Sequence, residues 1–294
     1  MTEAEKKERL GEVIVFFEII IASLSPLLIK SSENLLTPIF FLGSSMFLAG
    51  IVFFIALILT KKLSELKNKE ALHGMFFATF FIILLFFPLQ FIAGQKTSPG
   101  NIAVLGLCET LFTFLFFGLL RIEKNTPKRI LGAFLTSLSA AIILSKSFSG
   151  NLGIYDLIFV LATAIPPFGN YFQKKVVKIV SAKTLLCFRC LVGGSILMIF
   201  SFFFEKNQIN FSEFKKVIFI IFSQGLLVFA LSKLLFLESI KILDVSKVIA
   251  LGGLAPAFTI LFGFLFMGEI PNFNQVVGFI LGFVGVLFLI NKRK

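Results

Sequence analysis

The chain predicts an all-α integral membrane protein of ten transmembrane helices, arranged as two inverted five-helix repeats. Three observations carry that expectation. First, of 294 residues 57% are hydrophobic and only 15% are charged, with a mean hydropathy of +0.98. A soluble domain of this size could not keep so much apolar surface from water, so lipid must be its solvent. Second, ten apolar stretches follow one another, most approaching the roughly 20 residues that a helix needs to cross a bilayer. Third, residues 245–290 repeat an earlier stretch at a constant offset. Glu269 falls on Glu123 and Gly278 on Gly132, each 146 residues upstream, and Leu251, Gly252, Phe258 and Thr259 meet Leu105, Gly106, Phe112 and Thr113. Shared Leu and Phe mean little singly. A gapless register that also aligns an acid and a glycine marks an internal repeat.

Taken in order, residues 1–10 (MTEAEKKERL) are charged and polar. They are expected as a cytoplasmic N-terminal segment rather than a signal peptide. Apolar spans at 11–29, 36–59, 71–92, 99–120 and 128–145 make a first repeat, 11–146. Spans at 153–173, 183–204, 215–236, 246–267 and 273–290 make a second, 147–294. Each must be helical, because lipid offers no partner for a free backbone group. The fifth and tenth are short and would be accommodated by tilt or by partner helices. Pro26 interrupts the first span and Pro166-Pro167 the sixth, its counterpart. Proline frees a carbonyl one turn upstream and bends a helix, and matched interruptions in two halves point to a transporter site. Gly193-Gly194, Gly252-Gly253 and Gly278-x-x-x-Gly282 suit close helix contacts.

The net charge of +12 is a topology signal. With both termini in the cytoplasm, 20 Lys and Arg fall on that side and 6 on the other. This positive-inside bias sets the orientation and removes nucleic acid as a partner. Phe is used 42 times while Trp is absent and Tyr occurs twice, so the usual interfacial belt is nearly missing. Cys108, Cys187 and Cys190 lie inside apolar runs in odd number, which argues against a disulfide framework or a zinc site. The lone His73 has no metal or catalytic partner. No metal or other cofactor is expected. A polytopic enzyme would need clustered ligands or a nucleophile and base, and the loops offer Lys and a few Glu. Five spans per copy turn the second copy upside down, and inverted repeats are a device for alternating access.

Polar groups at membrane depth are the candidate site. A charge at the bilayer centre costs about 2.5–3.5 kcal/mol on insertion scales, so it is kept where it faces protein or water. Glu109 lies about nine residues into the fourth span, roughly 14 Å deep and near the midplane. It reads either as a substrate ligand or as a structural acid bonded to a hydroxyl. Glu18 reads either as a ligand or as the partner of Arg189 or Lys233. Ser25, Gln90, Asn170, Tyr171 and Gln224 complete the expected substrate-binding set. Arg189, Lys233, Pro166, Pro256, Glu123 and Glu269 are expected in structural or gating roles. Arg189 is expected to pack at a helix interface, Lys233 to snorkel to the surface, and the last two acids to fix the turns that follow their spans.

Leu254-Ala255-Pro256-Ala257-Phe258, followed by Gly268-Glu269, Gln275 and Gly278, resembles the ten-helix EamA-type transporters of the drug/metabolite transporter superfamily. Gln90-Phe91-Ile92-Ala93, Thr97-Ser98-Pro99-Gly100-Asn101, Cys108-Glu109-Thr110 and Arg189 extend the resemblance over nearly the whole chain. Thr110 departs from the pattern, which often has proline after the acid. The counterpart of Arg189 in the second helix is missing, with Leu42 or Gly43 there. The resemblance implies a secondary carrier for small organic solutes, with its cavity between the repeats. Carboxylates and cations together suit a zwitterion such as an amino acid or S-adenosylmethionine, with nucleotide-sugar exchange as the alternative. The expected partners are a small-molecule substrate and the lipid bilayer, with a homodimer also admitted. The expected location is the cytoplasmic membrane of a prokaryote.

Overall fold

The computed structural model describes residues 3–120, 127–147, 153–206, 209 and 211–290. Ten helical units carry nearly all of them. In the first copy, α1 is Glu3–Ala22 continued by Ser25–Ser31, and α2 is Pro38–Leu59. Helix α3 runs from Lys69–Thr79 through a wide π-type segment, Phe80–Phe86, into Phe87–Lys96. Helix α4 is Pro99–Leu105 continued by Cys108–Leu119, and α5 is Pro127–Ser147. In the second copy, α6 is Gly153–Ala162 continued by Pro166–Val176, and α7 is Ala182–Phe204. Helix α8 joins Phe214–Phe222, a π-type segment Ser223–Ser232 and Lys233–Ile242. Helix α9 joins Val245–Leu251, a tight turn Gly252–Leu254 and Ala255–Met267, and α10 is Phe273–Ile290.

Among the described residues, seven of these units are long and apolar enough to cross a membrane, namely α1–α4 and α7–α9. Shorter apolar helices occupy α5 (Ile130–Ser139) and α10 (Phe273–Phe288). The charged N-terminal residues do not precede α1 but extend it, with Glu3 and Glu5 in its first turn, where a helix dipole favours acids. The outer surface stays apolar: Phe202, Phe203 and Phe204 are each more than 70% exposed.

The breaks recur in both copies. Proline opens the second segment of α1 and of α6. Both α3 and α8 carry a π-type segment, and such segments mark functional sites more often than chance. Helix α4 breaks at Gly106 and α9 at Gly252, 146 residues apart. The backbone of α4 and α9 therefore keeps the register of the sequence repeat, whereas Pro26 and Pro166 are 140 residues apart.

Equivalent helices of the two copies pack against each other in opposite directions. In the α2–α7 pair, a Cβ on Gly43 would lie 2.9 Å from Met198 and one on Gly50 2.7 Å from Leu191. A Cβ on Gly194 would meet the Phe47 backbone nitrogen at 2.9 Å. As the number falls on one helix it rises on the other. Only glycine permits so close an approach of backbones. The α5–α10 pair behaves alike. The Ser139 hydroxyl donates to the Gly278 carbonyl at 2.6 Å, Asn274 donates to the Ile142 carbonyl at 3.2 Å, and a Cβ on Gly285 would crowd the Gly132 carbonyl. These two antiparallel pairs hold the inverted repeats together and leave α1, α3, α4, α6, α8 and α9, joined by Arg189 of α7, to surround the space between them.

The α2–α7 pair is also tied at each end. Glu205, just after α7, accepts from the free backbone N–H groups of Ile39 and Phe40 at the start of α2, at 3.0 and 2.9 Å. Glu65, just after α2, accepts from the Ser181 N–H and the Thr184 hydroxyl at the start of α7, at 2.8 and 2.5 Å. A helix start leaves four N–H groups unsatisfied and carries a positive dipole end, so a carboxylate there is favourable. Burial alone would raise the Glu65 carboxyl. The hydrogen bonds from Thr184 and Ser181 outweigh it and hold the carboxyl down at about 2.

Candidate functional site: a charged cavity between the repeats

A cavity of about 240 Å³ lies between the two copies, walled by α1, α3, α4 and by α6, α7, α8 and α9. The helix breaks line it. Pro26, Pro166 and Pro256 stand on its wall, as do Gly106 and Gly252. Breaks free backbone groups at membrane depth, which is tolerated only where protein or a polar cavity can receive them.

Four charged side chains reach it: Glu18, Glu109, Arg189 and Lys233. Glu109 sits in the first turn of the second segment of α4, where its own N–H donates to the Gly106 carbonyl at 3.0 Å. Its Oε1 accepts from Asn170 Nδ2 at 3.2 Å. Asn170 Oδ1 in turn accepts from Gln173 Nε2 at 2.7 Å, and Gln173 Oε1 accepts from the Arg189 guanidinium. This chain joins α4, α6 and α7. It orders a carboxylate at one end and a guanidinium at the other, with the two amides oriented by their charged neighbours. Arg189 is 1% exposed, and its Nε has no protein partner.

Glu18 belongs to a second cluster. Its Oε1 accepts from the Ser232 hydroxyl at 2.9 Å and lies 3.5 Å from Lys233 Nζ. Of the two partners that the sequence allowed for Glu18, Lys233 is the one that meets it. Lys233 therefore faces inward on the cavity wall instead of snorkelling to a surface, because the buried carboxylate holds it. Both Glu18 and Lys233 lie within electrostatic reach of Glu109. Arg189, expected as a packing element, also faces the cavity, because Gln173 holds its guanidinium toward α6.

The neutral candidates divide. Ser25, Gln90 and Asn170 line the cavity, and the buried Gln90 Oε1 lacks a protein partner. Gln224 does not line it; the residue is fully buried behind Ser25 and donates to the Ser25 hydroxyl at 2.9 Å. Tyr171 does not line it either. Its ring packs against Phe116 at 6.3 Å and beneath Lys175 Nζ at 4.3 Å. Asn170 and Tyr171 are successive helical residues, about 100° apart, and the helix turns Asn170 toward the cavity and Tyr171 toward Phe116. Gln173, by contrast, belongs to no motif in the sequence. It lies one turn from Asn170 on the same face, and that i,i+3 spacing was the available signal. Ser232 and Thr163 belong to no motif, and Thr110 and Thr259 enter the sequence reading only through the family pattern and the repeat register. Thr110 and Thr163 line the cavity. Thr259 donates to the Ser23 carbonyl at 3.1 Å, and Ser23 donates to the Ala255 carbonyl at 3.2 Å, so the two broken helices α1 and α9 meet there.

Glu269 lies away from the cavity, in the turn after α9. Gly268 takes a positive φ of 67° there, and the Glu269 N–H donates to the Gly263 carbonyl at 3.1 Å. Burial raises its carboxyl above the usual range, while Lys30 works in the opposite sense. Glu123, its repeat counterpart, lies outside the described residues.

The profile of the EamA-like transporter family matches the chain twice, over residues 9–145 and again over 153–291. The chain is 21% identical over 261 residues to a Bacillus subtilis (strain 168) protein described as "uncharacterized transporter YvbV", covering 87% of this chain and 84% of the other. It is 24% identical over 236 residues to an "uncharacterized transporter" of Archaeoglobus fulgidus, covering 79% and 80%. A solved crystal structure superposes with a TM-score of 0.72 at 16% identity, over 96% of this chain and 98% of that one, which shows a shared fold.

Proposed function

Since the chain belongs to the EamA-like transporter family, we propose that it is a secondary transporter that carries a small zwitterionic metabolite across its membrane by alternating access. The observation that supports this most is the cavity between two inverted copies, in which two carboxylates and two cations converge. A charge held at membrane depth is costly and is retained where it serves a solute path. Two acids and two bases need no net charge from the solute, which suits a molecule carrying both signs.

In this reading Glu109 takes the solute's ammonium group, being held by a single hydrogen bond from Asn170. The solute's carboxylate goes toward Lys233 and Arg189, whose Nε offers an unused donor. Ser25 and Gln90 add neutral hydrogen-bonding groups between them. At about 240 Å³ the cavity is smaller than the roughly 300–1,000 Å³ of pockets for drug-sized ligands. That size favours an amino acid over a nucleotide sugar. S-adenosylmethionine, also zwitterionic, is the second reading and would require the cavity to widen. No bond is made or broken in the solute, so the protein acts without catalysis. The positive-inside bias supports an orientation with both termini in the cytoplasm, and the location that fits this reading is the cytoplasmic membrane of a prokaryote.

The test is counterflow in proteoliposomes preloaded with amino acids, S-adenosylmethionine, nucleotide sugars and sugar phosphates in separate pools. Uptake of a labelled amino acid driven by its own pool is the expected result. Uptake confined to a nucleotide sugar or sugar phosphate would overturn the zwitterion assignment.

A further inference from the structure

The two copies meet again beyond the cavity, once at each membrane face. Ser98 caps the start of α4, accepting from the Asn101 N–H at 3.1 Å. Asp244, 146 residues later, stands at the same position before α9. Asn101 and Lys247 are therefore equivalent, each in the first turn of its helix. Both reach across to the first helix of the other copy, and both find an acid. Asn101 Nδ2 donates to Asp156 Oδ2 of α6 at 3.2 Å, and the neighbouring Thr97 hydroxyl donates to Asp156 Oδ1 at 2.5 Å. Lys247 Nζ meets Glu12 Oε1 of α1 at 2.7 Å and Glu8 Oε1 at 2.5 Å. The acids are not in strict register. Asp156 lies six residues before the end of its first segment at Ala162, and Glu12 ten before Ala22. Because five crossings separate α1 from α6, one contact lies at the face bearing the N-terminus and the other at the opposite face.

What lies behind each contact gives it a role. The short segments Pro99–Leu105 and Val245–Leu251 run from the contacts to the breaks at Gly106 and Gly252. Ile102 and Ala103 of the one, and Val248 and Ile249 of the other, are cavity wall. Each segment is thus a short lever with a glycine hinge at its cavity end and a polar tie at its outer end. Release of a tie would free that lever from the first helix of the other copy at that face.

We propose that Lys247 with Glu8 and Glu12, and Asp156 with Thr97 and Asn101, are paired latches whose alternate release exposes the cavity to one face or the other. This rests on the transport reading for the cycle it serves, while its test needs no solute. The two latches differ in chemistry. One is an ion triad whose Lys247 side chain is 26% exposed, so salt weakens it. The other centres on a fully buried carboxylate, and Gln275 of α10 braces it by donating to Ser98 and Asn101, each at 3.1 Å.

The experiment follows a single cysteine, Ala103→Cys, in protein whose Cys108, Cys187 and Cys190 are replaced by alanine. Sealed proteoliposomes of known orientation are treated with a membrane-impermeant maleimide from each face, without solute. Lys247→Gln is expected to raise labelling from the N-terminal face about threefold or more and to lower it from the opposite face, as a shift between two populations requires. Asn101→Ala, which leaves buried Asp156 its Thr97 bond, is expected to do the reverse, and Glu12→Gln to act in the direction of Lys247→Gln. A rise on the wrong face, an equal rise on both faces, or no change in any variant overturns the proposal. Failure to find a transported solute would leave this result standing, so the two readings fail separately.

Discussion

Gln173 is the residue whose neighbours depend on it most. It gives Asn170 its donor and Arg189 its acceptor, and all three are nearly fully buried. Gln173→Leu leaves a buried guanidinium short of a partner, at a cost of about 2–3 kcal/mol. The expected outcome is a clear fall in the unfolding midpoint in detergent, together with loss of transport. Tyr171→Phe is expected to leave transport within about twofold, since the ring stands outside the cavity; a tenfold loss (about 1.4 kcal/mol) in a counterflow rate would contradict that placement. The charged members of the site were legible because a charge inside a 20-residue apolar run is costly and so announces itself. Gln173 and Ser232 were not, because neutral polar residues are common on helix faces. Which face is inward depends on helix rotation, and the sequence does not specify it.

At the scale of elements, the prolines announced the breaks in α1 and α6, since a missing N–H and a fixed φ leave little choice. The π-type segments in α3 and α8 carry no such mark. Phe80–Phe86 reads FFIILLF, and an apolar run of that kind is equally consistent with a regular α-helix. The ties between α2 and α7 yield two predictions. Glu65 is held at about 2 against an ordinary 4.5, so its contribution is complete above pH ~4.5, declines as pH falls, and is gone by pH ~2. Glu65→Gln is therefore expected to cost about 1–2 kcal/mol at pH 7 and to leave a shallower loss of stability between those pH values. An unchanged acid limb in thermal unfolding would show that the capping contact is not maintained in solution. Gly194→Val is expected to destabilise by about 1–3 kcal/mol or more, because its side chain would press on the Phe47 and Gly43 backbones, which cannot give way as a flexible side chain can.

Across the whole molecule, the 146-residue register of the sequence is kept by the backbone of α4 and α9. It relates the breaks at Gly106 and Gly252 and the N-cap positions at Ser98 and Asp244. Periodicity and composition sufficed for ten helices in two copies, because lipid forces every span to satisfy its own backbone. They did not suffice for the reciprocal Glu65 and Glu205 caps or for the meeting of Asn101 with Asp156, which arise only when helices distant in sequence are brought together. The proposed transport depends on solute binding at Glu109 between the copies. The most direct test is counterflow by Glu109→Gln beside Glu269→Gln, an acid outside the cavity, in proteoliposomes holding equal amounts of folded protein. Transport abolished by the first and retained by the second is the predicted result. Equal transport by Glu109→Gln and the unaltered protein would contradict it.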